Sequence, residues 1–158
     1  MNTDSFTIIL IILILAISYR MYHNSDYFQL KCVVSSIDGE KYKRMKSGYN
    51  STKIMETLPN SEFTAYSENK GEKLAFCLHT KKNGSQLIDI NTLTYVAIHE
   101  LAHIATKSVG HTPEFWKNFK FLLTQAEKIN IYKPIDYKNN PEKYCGMTIS
   151  DNPYYDVK

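Results

Sequence analysis

Two histidines and a glutamate form the pattern with the clearest chemistry, His99-Glu100-Leu101-Ala102-His103. On a helix, residues four apart lie about 40° apart around the axis and about 6 Å apart along it, so both imidazoles can reach one metal ion. Glu100, directly after the first histidine, can accept a proton from a water molecule on that metal. The pattern therefore predicts a hydrolytic zinc site with His99 and His103 as ligands and Glu100 as general base.

A catalytic zinc ion takes three protein ligands and keeps one position open. His111, eight residues after His103, is the natural third ligand, because Gly110 before it allows the chain to fold back at the helix end. With five histidines and nine glutamates in 158 residues, the five-residue pattern is expected by chance roughly 0.01 times. Two other interpretations stay open: incidental histidines on a helix, and a purely structural zinc site that gives Glu100 no task.

The elements before these residues are the ones that an active-site helix needs. Residues 74–79 alternate in side-chain character in the way typical of a strand. The Asn-Gly pair within residues 82–85 suits a hairpin turn, and residues 87–90 would form the return strand. Asn91 can then cap a helix from residue 92 to about residue 107.

A second helix is predicted after the histidines. Thr112 and Pro113 have the residue types of a helix cap and a first-turn proline. The apolar positions that follow fall on one stripe, formed by Phe115, Phe119, Leu122, Leu123 and Ala126. After Asn130, three prolines and many tyrosines predict an irregular tail that wraps the domain, in which residues 144–147 serve core packing in preference to catalysis.

The stretch KLAFCLHTKKNGSQLIDINTLTYVAIHELAHIATKSVGHTPEFW, residues 73–116, resembles the WLM and SprT-like group of zinc metallopeptidases. In that group HExxH is followed by a third histidine and then an aromatic residue, and the resemblance covers about residues 73–125. It implies zinc ligands at His99, His103 and His111, Glu100 as general base, and a packing position for Phe115 beneath the site. It also implies protein substrates bound to DNA, which a membrane anchor would make doubtful.

Some alternatives remain within this resemblance. The seven residues IATKSVG between the second and third histidines are nearer to the SprT-like spacing than to that of many WLM members, so the subfamily stays open. Thr106 stands where the metzincin signature has glycine, which excludes that class. Glu127, on the next helix, is the alternative third ligand, of the gluzincin kind. His79 is predicted to be a surface or substrate-facing residue, and His23 a solvated one.

The N-terminus is unusually apolar, with ten consecutive apolar residues at 8–17 and Arg20 as the single charge within 6–22. Seventeen helical residues span roughly 25 Å, close to a hydrocarbon core of about 30 Å, which predicts an uncleaved single-pass anchor. A cleaved signal peptide and a buried core helix are the alternatives. Basic residues follow the span and none precedes it, so the C-terminal domain is predicted to be cytoplasmic.

Cysteine usage and charge narrow the function classes. Cys32, Cys77 and Cys145 are odd in number and widely spaced, which predicts no disulfide framework and agrees with a reducing compartment. The absence of a Cys-x-x-Cys pair excludes a four-cysteine zinc module. A net charge of +3 does not support nucleic-acid binding by itself. The basic run at 41–46 is interpreted as a solvated helix face or linker, with an anionic-lipid or nucleic-acid contact as the alternative.

Together these patterns predict an N-terminal tip at residues 1–5, an anchor at 6–22, a juxtamembrane linker at 23–48, a metallopeptidase domain at 49–130 and an irregular tail at 131–158. The expected fold is a small α+β, zincin-like domain in which an antiparallel hairpin or sheet packs on the HExxH helix. The expected function is that of a membrane-anchored peptidase with Zn²⁺ as cofactor and a protein or peptide as substrate. The alternative is a membrane-tethered structural or interaction protein with a zinc-stabilised, inactive domain.

Overall fold

The computed structural model of this chain describes residues 43–58, 61–82, 84 and 86–156. This part of the chain is a small α+β domain, which confirms the α+β part of the predicted fold class, although its larger sheet is mixed where an antiparallel one was predicted. Its elements are α1 (Lys43–Gly48), β1 (Ile54–Glu56), β2 (Ala65–Glu68), β3 (Lys73–Phe76), α2 (Ile90–Ala105), α3 (Pro113–Lys128), β4 (Glu142–Tyr144) and β5 (Met147–Ile149), with short 3-10 turns at Ser51–Lys53 and Pro153–Tyr155.

The larger sheet is mixed, with β3 at its centre. β1 pairs with β3 in parallel and β2 pairs with it antiparallel, so that Ile54 and Tyr66 lie opposite Leu74 and Ala75. The central position explains why β3 is a continuous apolar run, because Leu74, Ala75 and Phe76 are all buried. β2 is left at one edge of this sheet, next to α2.

The predicted return strand at residues 87–90 is much shorter than expected. Its pairing with the chain after β3 is a single antiparallel bridge between His79 and Leu87, flanked by backbone hydrogen bonds from Thr80 to Gln86 and from Ile88 to Leu78. The strand cannot continue because the chain turns directly into α2. Asn83 and Ser85 of the predicted turn lie outside the described residues.

α2 begins two residues earlier than predicted, and its cap is Asp89 instead of Asn91. The Asp89 carboxylate accepts hydrogen bonds from the backbone N–H groups of Asn91 and Thr92 at 3.0 Å. The Asn91 side chain instead exchanges two hydrogen bonds with the backbone of Lys133, each of 2.8 Å. α2 packs against α1, β2 and α3, so most of its surface is buried.

α3 agrees with the sequence prediction. Thr112 caps it by accepting a hydrogen bond from the backbone N–H of Phe115, and Pro113 occupies the first turn. The predicted apolar stripe is fully buried and packs on α2, with Phe119 against Tyr95 at 5.1 Å between ring centroids. The packing of α3 on α2 forms the main core and fixes the position of α2, the helix that carries the HExxH residues.

The tail predicted to be irregular contains an ordered hairpin. β4 and β5 pair antiparallel through a two-residue turn at Cys145 and Gly146, whose φ angles are 49° and 84°. Two positive φ angles are those of a type I′ hairpin turn. The N–H groups of these two residues donate to the carbonyls of His79 and Thr80, which attaches the hairpin to the chain after β3.

A disulfide joins Cys77 to Cys145, so the prediction of unpaired cysteines is wrong for these two residues. Their separation of 68 residues in sequence explains the error, because only the fold brings the end of β3 next to the β4–β5 turn. Cys32 lies outside the described residues.

Replacing Cys77 and Cys145 together with serine is expected to lower the free energy of unfolding by about 2–4 kcal/mol, because the bond closes a long loop in the unfolded chain. Denaturant unfolding of the oxidised full chain measures the effect. Cys32→Ser, which leaves this bond intact, is the control. Alkylation of all three thiols in the denatured, unreduced protein would contradict the disulfide.

The predicted anchor at residues 6–22 lies outside the described residues. Within the described ranges, no helix combines the length and the apolar character needed to cross a membrane. This finding contradicts the predicted localisation, a single-pass membrane protein with a cytoplasmic domain, and that prediction is wrong. Its supporting argument from unpaired cysteines fails as well, because Cys77 and Cys145 are bonded.

Part of the predicted linker belongs to the folded domain. α1 carries the described end of the basic run, with Met45 fully buried and Arg44 exposed. The described part of the run, residues 43–46, is thus a solvated helix face, as one of the two interpretations expected, but its apolar residue Met45 contributes to the core.

Candidate metal centre

α2 and the loop after it bring three histidines together. One ring nitrogen from each of His99, His103 and His111 lies within 4.8 Å of the others, and the Nε2 atoms of His99 and His111 are 3.0 Å apart. Two Zn–N bonds of about 2.0–2.1 Å at a tetrahedral ion would hold their nitrogens roughly 3.3 Å apart. The donor set and its spacing therefore fit a zinc ion.

The electrostatic environment keeps the two helical histidines neutral. Burial, reinforced by the nearby His103 and His111, lowers the pKa of His99 to about 3. Burial, together with His111 and Lys70, lowers the pKa of His103 to about 4. Since imidazole binds a metal through its neutral form, both rings are in the binding state near pH 7.

Two aromatic residues at the start of α3 support the histidines. The ring centroid of Phe115 lies 4.9 Å from that of His99, 4.4 Å from that of His103 and 4.7 Å from that of His111. Phe115 is fully buried, so it forms the floor of the cluster, as the family resemblance implied. Trp116 stacks on His111 at 5.6 Å and 30° between the ring planes.

Glu100 lies beside the cluster and is 6% exposed. Burial raises the pKa of its carboxyl group to about 7. A carboxyl group with a pKa near the working pH can both accept and return a proton. Glu100 thus has the environment of a general base, next to His99 in the sequence and on the same groove.

The cluster and Glu100 line a groove of about 800 Å³. Its walls are β2 with the preceding residues 63–64, one face of α2, the loop at 109–111 and the β4–β5 hairpin. Its rim carries three large apolar residues, Phe63, Val109 and Met147, which are 63%, 88% and 49% exposed. The groove is therefore an open cleft whose floor carries the candidate catalytic residues.

Other sequence candidates lie elsewhere. The Glu127 carboxylate accepts a hydrogen bond of 2.6 Å from the Tyr154 hydroxyl and does not belong to the histidine cluster. His79 lies 3.3 Å from the Glu56 carboxylate and is also outside the cluster. His23 lies outside the described residues.

Sequence reasoning placed Tyr144 in the core, where it is 2% exposed, but did not find the hydrogen bonds of its hydroxyl group. Its hydroxyl donates to the carbonyl of Thr64 and accepts from the N–H of Cys77, which connects the hairpin to two parts of the larger sheet. Tyr144 also lines the groove, and burial raises the pKa of its hydroxyl, with a smaller effect from the charge of Glu100. Because its partners are 80 and 67 residues away, no local pattern marks it.

Comparison with known proteins extends the match beyond the histidine motif. A family model described as the WLM domain matches residues 42–155. An uncharacterized protein of Acanthamoeba polyphaga mimivirus is 41% identical over 99 residues, which are 63% of this chain and 50% of the viral protein. An uncharacterized protein of Invertebrate iridescent virus 6 is 31% identical over 108 residues, which are 67% of this chain and 59% of that protein.

A third relative, an uncharacterized protein of Invertebrate iridescent virus 3, is 30% identical over 99 residues, 63% of this chain and 57% of its own length. The chain thus spans between half and three-fifths of the curated relatives it matches. No solved structure gives a significant match.

Proposed function

Since the chain belongs to the WLM domain family, we propose that it is a zinc-dependent metallopeptidase that hydrolyses peptide bonds. The observation that carries this proposal is the position of Glu100, a buried carboxyl group on the groove formed around three converging histidines. A purely structural zinc site needs no proton acceptor at that position. The geometry therefore favours a catalytic centre.

Each residue of the centre has a separate task. His99, His103 and His111 would hold the metal through one ring nitrogen each. When bound, zinc would supply a Lewis acid that activates water and polarises the scissile carbonyl. Glu100 takes the proton from the attacking water and passes it to the leaving amine. Phe115 keeps the three imidazoles in position from below.

The edge strand β2 supports a peptide as the substrate. In the described part of the chain, β2 pairs with β3 on one side and with no strand on the other. An edge strand presents N–H and C=O groups to which an extended peptide can add as a further strand. Because Ala65–Ser67 line the groove together with Glu100, a peptide alongside β2 would pass the proton acceptor.

The groove also favours a class of side chain. Its exposed rim residues Phe63, Val109 and Met147 are apolar. Two charged residues on the lining already have partners, since the Lys70 ammonium donates to backbone carbonyls and the Asp151 carboxylate is 3.2 Å from Lys138. We therefore expect peptides with large apolar side chains next to the scissile bond to be preferred over charged ones.

The test uses the full chain and two fluorogenic peptides that differ in the residues flanking the cleaved bond, apolar in one and charged in the other. The apolar peptide is expected to be cleaved with a kcat/KM at least about tenfold higher, because burying one large apolar side chain contributes about 1.5–3 kcal/mol. A chelator should abolish cleavage, and added zinc should restore it.

Matched variants separate the groove from a general surface effect. Phe63→Ala is expected to lower kcat/KM for the apolar peptide, whereas Leu87→Ala, at a similarly exposed residue outside the groove, should leave it unchanged. Chelator-resistant cleavage would contradict the zinc mechanism. Equal cleavage of both peptides would contradict the assignment of substrate class alone.

A further inference from the structure

The C-terminal end of α2 is held by a lysine from the turn between β2 and β3. Because α2 ends at Ala105, its last carbonyls lack helical partners. The Lys70 ammonium donates to the backbone carbonyls of His103, Thr106 and Ser108 at 3.2, 2.9 and 3.1 Å. An ammonium has three N–H donors, so this one side chain satisfies three carbonyls, one of which belongs to a proposed metal ligand.

The amide groups of the same loop are held by a carboxylate. Glu114, in the first turn of α3, accepts hydrogen bonds from the backbone N–H groups of Lys107 and Ser108 at 3.3 and 3.5 Å. It also accepts one from the Ser108 hydroxyl at 3.1 Å. That hydroxyl is in turn 2.7 Å from the hydroxyl of Thr112, the cap of α3. A cation on the carbonyls and an anion on the amides thus fix the loop from two sides.

The backbone fixes Lys70 itself in place. Asn69, Lys70 and Gly71, in the turn between β2 and β3, have φ angles of 46°, 56° and 105°. A Cβ atom at Gly71 would lie 2.5 Å from the carbonyl oxygen of Gly48 and 2.8 Å from Ile104, so only glycine fits there. The turn therefore rests on α1 and α2, which aims the Lys70 side chain at the end of α2.

His111 depends on this loop for its position. It is exposed, lies on no helix or strand, and contacts the cluster through the rings of His99, His103, Phe115 and Trp116. Gly110 before it has a φ angle of 83° and no atom within 4 Å of an added Cβ, so little packing restrains the chain at that point. The loop's hydrogen bonds therefore restrain the backbone of His111, in addition to the contacts that its ring makes.

We propose that Lys70 and Glu114 are positioning residues that hold the loop at 106–111 so that His111 is ready to bind the metal before the metal arrives. This rests on the zinc site proposed above. Partners that orient a metal ligand reduce the ordering required on binding, and their loss typically weakens metal affinity about 10–100-fold. Lys70 and Glu114 act through the backbone of this loop and do not belong to the histidine cluster itself.

The test measures zinc affinity of the full chain by competition with a chromogenic chelator. Lys70→Met is expected to bind zinc about 10–100-fold more weakly than the wild type. Lys70→Arg should restore most of the affinity, because a guanidinium also donates several hydrogen bonds to carbonyls. Lys53→Met is the matched control, since that lysine forms an exposed ion pair with Glu72 at 3.4 Å.

A double-mutant comparison distinguishes positioning from general stability. In the His111→Ala background, Lys70→Met should cause a clearly smaller loss of zinc affinity than in the wild type, because one ligand that it positions is gone and only its bond to the His103 carbonyl still concerns a ligand. Glu114→Ala should show the same pattern as Lys70→Met: a loss of zinc affinity when His111 is present and a clearly smaller loss when His111 is replaced. A merely structural role would lower the affinity equally whether or not His111 is present.

The outcomes separate this proposal from the one on which it rests. A wild-type chain that binds no zinc would overturn both. A wild type that binds zinc tightly, with Lys70→Met unchanged or equally weakened in both backgrounds, would overturn the positioning role alone. If circular dichroism shows that Lys70→Met does not fold, the Glu114→Ala pair decides the question by the same comparison.

Discussion

Glu100→Gln is expected to leave folding and zinc content unchanged while kcat/KM for a peptide falls by about 10²–10⁴-fold. The amide is nearly the size of the carboxylate and fits the same buried position, which is 6% exposed in the wild type. It cannot accept the proton of the attacking water. The loss corresponds to roughly 3–5 kcal/mol of activation free energy.

Two controls define the meaning of that result. His103→Ala should lose metal and activity together, because it removes a proposed ligand. Glu127→Gln should lose neither, since that carboxylate is bonded to Tyr154 away from the histidine cluster. Wild-type activity in zinc-loaded Glu100→Gln would refute the mechanism. A wild type that binds zinc and cleaves no peptide would instead favour the non-catalytic alternative.

The helical half of the fold could be predicted because its signals are local. The apolar stripe of α3 and the Thr112-Pro113 cap lie within a few residues of one another, and both agree with the structure. The start of α2 shows the limit of this approach. Asp89 and Asn91 are both good cap residues, and the choice between them depends on the hydrogen bonds of Asn91 to Lys133, 42 residues away.

The sheet could not be predicted in the same way. The alternation at residues 74–79 did indicate a strand where β3 lies, but β1 and β2 have only three and four residues, too few for a clear alternation of side chains. The parallel partner of β3 is β1, which precedes it in the chain with β2 between them. The disulfide joins the end of β3 to the β4–β5 hairpin. These contacts link distant segments, so their partners are set by packing and leave no mark in either segment alone.

The same difference between local and long-range signals applies to the candidate site. His99 and His103 share one helix, so their spacing alone predicted that they would meet, and the glycine before His111 indicated the turn that brings it back. Lys70 contacts the end of that helix from 33 to 38 residues away, and Tyr144 reaches its partners from farther still. The sequence thus reveals the residues with chemistry more readily than those that hold them.

The third ligand can be tested with a signal inside the chain. Trp116 is the single tryptophan, and its indole stacks on the His111 ring at 5.6 Å. A metal ion on that ring changes the environment of the indole, so zinc titration should shift the tryptophan emission of the full chain. The same shift should be absent when the ring is removed.

His111→Ala is expected to weaken zinc binding on the order of 10²–10³-fold, because a zinc ion held by four ligands binds with about 10–16 kcal/mol, or roughly 2.5–4 kcal/mol for each. Glu127→Ala is the control and should keep wild-type affinity, since the structure leaves Glu127 outside the cluster. Chelator competition measures both variants. Zinc retained in His111→Ala and lost in Glu127→Ala would assign the third ligand to the glutamate, and the convergence of the three imidazoles would then need another explanation.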